Sequence, residues 1–343
     1  MTGDQAPGQR SGPASQDTAG APWQVRELAD RRAAARAARD FAAADRFRAE
    51  IGELGWAVTD APGGYRLAPA AGTAAASSGS DYRVLPNPAA VPAARGADGR
   101  RATVALLVEG WPGDLRECLS ALIEHAPDGV MISALDIGNS GGAGDALQEL
   151  AAAHPGRIEA WHVAGSAGWS AARNALLRAD PAPIHVIMET STILMGDAIT
   201  PLLAALAADD VVAAGWRGAE PEEDLRAFRE AGPGQVTALL GYLLAVRADA
   251  AAQAGGLPAR ARFYRNADLE FSLQLGRLGR LVVPAEPMPV RQTRHRGYHD
   301  TDLEYRERES RRNYRRVLEL LRAGQAADPS PAGGSAADGA ADD

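Results

Sequence analysis

The stretch Ile184-His185-Val186-Ile187-Met188-Glu189-Thr190-Ser191-Thr192 is a short, mainly apolar run that stops abruptly at a carboxylate and three hydroxyls. Its length and β-branched content favour a buried strand, and the polar stop reads as a loop at the strand's C-terminal end. The same pattern recurs upstream. Thr103–Val108 is a buried strand, Val130–Leu135 is a second that ends on Asp136, and a third lies near Ile158–Val163. Helical text separates them, beginning at Leu115–Leu122 and near Ser170–Leu177. Strands and helices in alternation imply right-handed crossovers and a largely parallel sheet. Open α/β sheets bind ligands in the crevice outside the carboxyl ends of their strands, which makes Glu189 the first functional candidate. Asp197 and Pro201 open a further helix to about Ala207; after Pro284 the sheet pattern fades, and Tyr305–Arg322 reads as an Arg-rich amphipathic helix.

The 343 residues divide by composition. Residues 1–22, rich in Gly, Ala, Ser, Pro and Gln, read as a disordered tail, as does the acidic end 326–343. Residues 23–67 form a small module. Leu28, Ala34, Ala38, Phe41, Ala44, Phe47, Ile51 and Leu54 recur at roughly helical spacing, with Asp40 able to cap a second helix and Gly55 able to end it. Trp56–Val58 and Tyr65–Leu67 flank an Asp-Ala-Pro-Gly-Gly turn and predict a β-hairpin. Residues 68–100 read as an Ala/Gly/Ser/Pro linker, and 101–325 as the α/β domain.

Composition narrows function mainly by exclusion. The net charge is −8, so binding of nucleic acid over the whole surface is excluded, although a local basic patch is not. Cys118 is the one cysteine, which removes internal disulfides and Cys-based zinc clusters and fits a reducing, cytoplasmic setting. No apolar run approaches the length of a membrane span, so no transmembrane segment is expected. Lys is absent and all 36 cationic side chains are Arg, a coding bias that carries no function by itself.

Within the small module, residues 35–51, Leu-Gly-Trp at 54–56 and Thr59–Tyr65 resemble the C-terminal module of cysteinyl-tRNA synthetases. That family joins the module to a catalytic domain with His-rich and Lys-rich nucleotide motifs, and this chain has neither. The favoured reading is a borrowed folding or docking element, with retained RNA contact second.

Several features of the larger domain fall in one order. Asp136 closes strand two, Ser166-Ala167-Gly168 turns into a helix bearing Arg173 and Asn174, and Glu189 ends the next strand. Gly255-Gly256-Leu257 and the helix Phe263-Tyr264-Arg265-Asn266-Ala267-Asp268-Leu269-Glu270 follow. As a set, over about residues 102–300, they resemble the family-2 glycosyltransferases of GT-A fold. That resemblance implies a mainly parallel nucleotide-sugar-binding sheet with flanking helices, and transfer of a sugar from a nucleotide-sugar donor to an unknown acceptor, with inversion. It places Asp136 on the nucleobase, and Gly168, Arg173 and Asn174 against the nucleotide, where an Arg at a helix start stabilises diphosphate.

Two family motifs are altered. Where relatives carry Asp-x-Asp for a divalent cation, this chain has Glu189-Thr190-Ser191, which implies a weak Mg2+ or Mn2+ site of Glu189, Ser191 and a late imidazole, His295. Arg294, in the cluster Arg291, Arg294, His295, Arg296 and His299, could neutralise diphosphate directly. The acidic motif that holds the family's general base falls on Arg265-Asn266, leaving Asp268, with Glu270 two residues on, as the candidate bases. Trp216 and Tyr242 could line an acceptor groove, though core packing is the commoner role of such rings. The competing reading is a non-catalytic nucleotide-sugar-binding or scaffold protein on a degenerate GT-A fold.

Overall fold

The computed structural model describes residues 21, 23–53, 56–61, 64–69, 82–94, 96, 98–138, 142–164, 168–299 and 301–327. The tails therefore lie almost wholly outside the described residues, as do 70–81 of the expected linker and the turn residues 54–55, 62–63 and 165–167.

The chain begins with α1 (Trp23–Ala37), α2 (Phe41–Glu53), β1 (Trp56–Ala61) and β2 (Gly64–Pro69). Asp40 accepts a hydrogen bond from the Ala43 amide at 2.9 Å, the expected cap of the second helix. Val25, Ala29, Ile51, Val58 and Tyr65 bury a small core between the helical hairpin and the β-hairpin. Polar latches close it: Tyr65 Oη donates to Asp30 at 2.6 Å and Arg32 to Asp60 at 2.7 Å.

The larger domain runs β3 (Val84–Leu85), β4 (Ala102–Val108), α3 (Pro112–His125), β5 (Val130–Asp136), α4 (Ala143–Ala153), β6 (Ile158–Val163), α5 (Trp169–Ala179) and β7 (Ile184–Met188). It continues through β8 (Thr192–Leu194), α6 (Thr200–Ala205), β9 (Val211–Gly215), β10 (Gly218–Pro221), β11 (Phe228–Ala231), β12 (Gly234–Val236), β13 (Ala238–Leu239) and β14 (Leu243–Arg247). Then come α7 (Ala248–Gln253), α8 (Ala267–Leu275), β15 (Arg280–Val283), β16 (Val290–Gln292), α9 (Arg296–His299) and α10 (Leu303–Ala327).

Nine strands form one sheet in the order β12-β15-β9-β14-β7-β4-β5-β6-β3. Pairing is parallel from β3 through β6, β5 and β4 to β7 and again between β15 and β9, with β14 antiparallel between β7 and β9. All seven residues of β4 are buried, because helices cover both faces and a doubly covered strand is apolar throughout rather than alternating. The period of two persists in where they pack. Val104, Leu106 and Val108 belong to the core cluster that also takes in residues of α3, α4 and α6, while Ala105 and Leu107 belong to the one shared with α5, α7 and α8.

Three sequence expectations change here. The stretch 68–100 is not all linker: β3 adds an edge strand by pairing Val84 with His162 and Leu85 with Val163, and Leu85 and Val91 are buried. Their apolar side chains were too few to register as a strand among so many small residues. After Pro284 the sheet pattern returns once, as β16 pairs antiparallel with β8. The Arg-rich helix starts at Leu303 and buries Val317 against Ala219, Ala238 and Leu269. The small module meets the larger domain through Arg31, 3.4 Å from Asp302.

A candidate functional site at the carboxyl edge of the sheet

Strands β5, β4 and β7 are neighbours, and each delivers a carboxylate to the same edge. Asp136 is the last residue of β5, Glu109 follows β4 and Glu189 follows β7. After Glu189 the chain turns at once, with the Thr192 amide on the Glu189 carbonyl at 2.9 Å, and β8 then pairs with β16. The Thr293 amide extends that pairing onto the Ser191 carbonyl at 2.8 Å, which carries His295 to the end of β7.

Arg173 holds Glu189 in place from the buried side. Its guanidinium donates through Nη1 to the Ala105 carbonyl at 2.7 Å and through Nη2 to the Met188 carbonyl and Glu189 Oε1, both at 2.9 Å. The Arg173 side chain is 0% exposed, so it braces Glu189 from within the fold. Burial works against the Glu189 charge, but the guanidinium, together with His295, holds its carboxyl below the ordinary carboxylate range.

His295 Nε2 lies 3.7 Å from Glu189 Oε2. Its ring stacks on Tyr264 at 4.5 Å and 16°, and neither ring nitrogen has a hydrogen-bond partner among the described residues. Glu109 closes the other flank: a Cβ placed on Gly297 would come within 3.2 Å of both Glu109 Oε2 and His295 Cε1. Burial, reinforced by the charge of Glu189, pushes the Glu109 carboxyl up to about 7. Burial opposes the His295 charge, yet the two carboxylates outweigh it and raise its pKa.

Asp268, in the first turn of α8, accepts the Gly241 amide on Oδ2 and the Leu269 amide on Oδ1, each at 3.0 Å. Burial raises its pKa against those two bonds, with a smaller contribution from Glu189. The adjoining residue ties the two carboxylates together, since the Tyr242 carbonyl accepts the Glu189 amide at 3.2 Å. Tyr242 packs edge-on to Trp216 at 6.5 Å.

The remaining expected residues are placed differently. Asn174, half-buried, donates to the Leu257 carbonyl at 2.9 Å and accepts its amide at 2.8 Å, so it latches the Gly255-Gly256-Leu257 turn. Gly168 caps α5, but the first amides of the helix, Trp169 and Ser170, face the carbonyls of Arg262 and Ala261 at 3.4 and 3.3 Å. Glu270 lies on the α10 side of α8, where Arg316 Nε contacts both of its oxygens at 3.0 and 2.8 Å. The basic cluster disperses: Arg291 pairs with Glu117, Arg296 with Asp114, and Arg294 is exposed. Asp136 Oδ2 is 3.2 Å from His162 Nδ1, and Tyr82 stacks on that imidazole at 3.8 Å.

Sequence reading missed Glu109, Tyr264, His162 and Tyr82 as site neighbours. For Glu109 the signal was present, because Val108-Glu109-Gly110 repeats the strand-then-carboxylate pattern of Met188-Glu189.

Around the expected metal position, Glu189 Oε1 accepts from the Arg173 guanidinium and the Ser191 hydroxyl accepts from Gln292 Nε2 at 3.2 Å; among the described residues no three His, Cys, Asp or Glu side chains gather to hold a metal.

No protein-family model matches the chain, and no curated protein does. Solved structures do. GalNAc-T7, crystallised with UDP, GalNAc and Mn2+, superposes with a TM-score of 0.55 at 15% identity over 64% of this chain. The fold is GT-A-like. The chain spans about half, 48%, of the GalNAc-T7 chain. The mannosyltransferase PcManGT from Pyrobaculum calidifontis, solved with GDP-Man and Mn2+, is also similar, with 18% identity, a TM-score of 0.45, and coverage of 74% of this chain and 81% of that one. Both neighbours are glycosyltransferases crystallised with a nucleotide or nucleotide-sugar and Mn2+. Among the described residues of this GT-A-like chain, no helix is long and apolar enough to cross a membrane.

Proposed function

We propose that the chain transfers a sugar from a nucleoside-diphosphate-sugar to an acceptor hydroxyl, in the crevice at the carboxyl edge of its sheet. The observation that carries the reading is the Gly241-Tyr242 dipeptide. One residue holds Asp268 by its amide, and the next holds the Glu189 backbone by its carbonyl. That link supports the reading by setting the candidate base near the acidic strand end, whose charge adds to the raised pKa of Asp268.

In this reading Asp268 takes the proton of the acceptor hydroxyl as its oxygen bonds the anomeric carbon. The bond from that carbon to the diphosphate oxygen breaks in the same displacement, and the stereochemistry inverts. A pKa raised by burial suits Asp268 to that task, since a base works best when its pKa approaches the working pH. Asp136, beside His162 and Tyr82, is the candidate contact for the nucleobase. Glu270 is not carried forward as a base because Arg316 engages both its oxygens.

A second reading, nucleotide-sugar binding without transfer, is favoured by the internal commitment of Asn174 and of the first amides of α5. Calorimetry and product analysis on a panel of nucleotide-sugars separate the two. Binding with release of nucleoside diphosphate supports transfer, binding without turnover supports the second reading, and no binding removes both.

A further inference from the structure

Asp302, the residue before α10, serves two parts of the molecule at once. Its Oδ1 accepts the Tyr305 amide at 2.9 Å, the capping bond that Asp is suited to make at a helix start. Its Oδ2 lies 3.4 Å from Arg31 Nη1 of α1. Arg31 is set for that contact by Phe47 of α2, whose ring centroid lies 4.4 Å from the guanidinium carbon. One turn before Arg31, Glu27 also hydrogen-bonds Asp302, so a carboxyl group of the small module meets one of the larger domain. Ionised carboxylates only accept, so such a bond exists only while one of the two carries a proton.

The same residue leads to the carboxyl edge of the sheet. The Arg306 amide bonds the Asp302 carbonyl at 2.9 Å, and the Arg306 guanidinium returns to the Tyr298 carbonyl at 2.9 Å and lies 4.1 Å from the Tyr298 ring centroid. Tyr298 in turn donates its amide to the His295 carbonyl at 3.0 Å and packs edge-on to Tyr264 at 6.5 Å. Contacts therefore run without a break from α1 through the start of α10 to the segment that lies against Glu109 and Glu189.

We infer that the N-terminal module is a proton-controlled latch: it grips the start of α10 while Glu27 and Asp302 share a proton, and lets go when that proton is lost, loosening the segment against the site.

The proton sits on Glu27. Burial, then the hydrogen bond to Asp302 and the Asp302 charge, push the Glu27 carboxyl up to about 7, against the opposing charges of Arg31 on its own helix and Arg308 on α10. Tyr305, the other titratable group of α10 facing it, has its own pKa raised mainly by burial and stays a neutral phenol. Burial opposes the Asp302 charge too, but the Tyr305 amide, the Glu27 proton, Arg31 and the Glu304 amide hold its carboxyl below the ordinary range. The sign follows from linkage. Glu27 strengthens docking fully below its ordinary value of 4.5, and that contribution is lost as pH rises to about 7. Asp302 is ionised throughout that window. A released module has only its own small core to hold it, and a core of that size is marginal alone.

The test uses the full chain and needs no ligand, so its outcome is independent of the nucleotide-sugar reading. Amide hydrogen exchange, corrected for the intrinsic effect of pH, is measured at pH 5.5 and pH 8 for the parent and for Glu27→Gln, whose amide donates to Asp302 at either pH. The two proteins should agree within about twofold at pH 5.5. At pH 8 the parent should exchange about tenfold faster than Glu27→Gln in α1 and in residues 296–299 and 302–306. Equal exchange in the two proteins at both pH values overturns the inference. A difference of the same size at both overturns it as well, because Glu27 would then act by packing and not by its proton. A difference at pH 8 confined to α1 overturns the link to the site segment. The parent alone decides one arm: if α1 exchanges no faster at pH 8 than at pH 5.5, there is no latch.

Discussion

Arg173 donates to Glu189 at 2.9 Å with its side chain fully buried, and the same guanidinium spans the carbonyls of Ala105 and Met188 on neighbouring strands. One side chain thus fixes the acidic strand end and braces β4 against β7. Removing a single partner of a buried pair leaves the other charge without compensation, which typically costs about 3–5 kcal/mol. Arg173→Met should lower stability by that order in denaturant titration. The paired change Arg173→Met with Glu189→Gln should recover part of it.

Asn174 acts through the turn at Gly255–Leu257. Its two hydrogen bonds to Leu257 place Gly256 so close that a Cβ there would sit 2.6 Å from Asn174 Oδ1. Asn174→Ala leaves a backbone amide and carbonyl unpaired and should cost about 1–3 kcal/mol. Chemical denaturation reads the loss. If nucleotide affinity falls with stability unchanged, Asn174 touches the ligand.

Asp268 and Glu270 separate by what they hold. Asp268→Asn keeps one acceptor oxygen of the two that hold the Gly241 and Leu269 amides, so it should lose about 1–3 kcal/mol of stability and stay folded, while transfer falls by about 10²–10⁴. Glu270→Gln should leave the rate alone and loosen the contact between α8 and Arg316 of α10. Steady-state rates and melting curves on both variants check the assignment. Full activity in Asp268→Asn would remove it as the base.

Glu109 sets a pH dependence with a definite sign. Its carboxyl, pushed up to about 7 from an ordinary 4.5, keeps its proton in the folded chain where the unfolded chain has released it. Stability should therefore fall as pH rises from about 4.5 to about 7. Glu109→Gln removes that loss and should be more stable than the parent at pH 8 by about 1–3 kcal/mol, with little difference at pH 4. His295, whose pKa is also raised, adds its own loss as it deprotonates, so some decline persists in the variant. Melting temperatures across pH 4–8 for both proteins measure the difference.

Much of the sheet was legible because its strands are apolar runs with abrupt polar ends. Glu189, Asp136 and the helix carrying Arg173 stand where that pattern puts them. Side-chain direction was not legible. Sequence order alone set Arg173, Asn174 and Glu270 towards a ligand, whereas the first two lie against neighbouring backbone and the third against Arg316. Tyr82 and Leu85 were hidden because a two-residue edge strand in Ala- and Pro-rich text has no period to read. His295 reached Glu189 only through the β8–β16 pairing, a contact between segments about a hundred residues apart that no local pattern encodes.

A nucleoside-diphosphate-sugar is the ligand proposed for the carboxyl edge of the sheet. The most direct measurement is the melting temperature of the full chain across uridine, guanosine, adenosine, cytidine and thymidine diphosphates and their sugar conjugates. A ligand at about 100 times its Kd stabilises by about 2.7 kcal/mol. A clear upward shift is expected with one nucleobase, retained by its sugar conjugate and lost in Asp136→Ala. A flat response across the whole panel at millimolar ligand would contradict it.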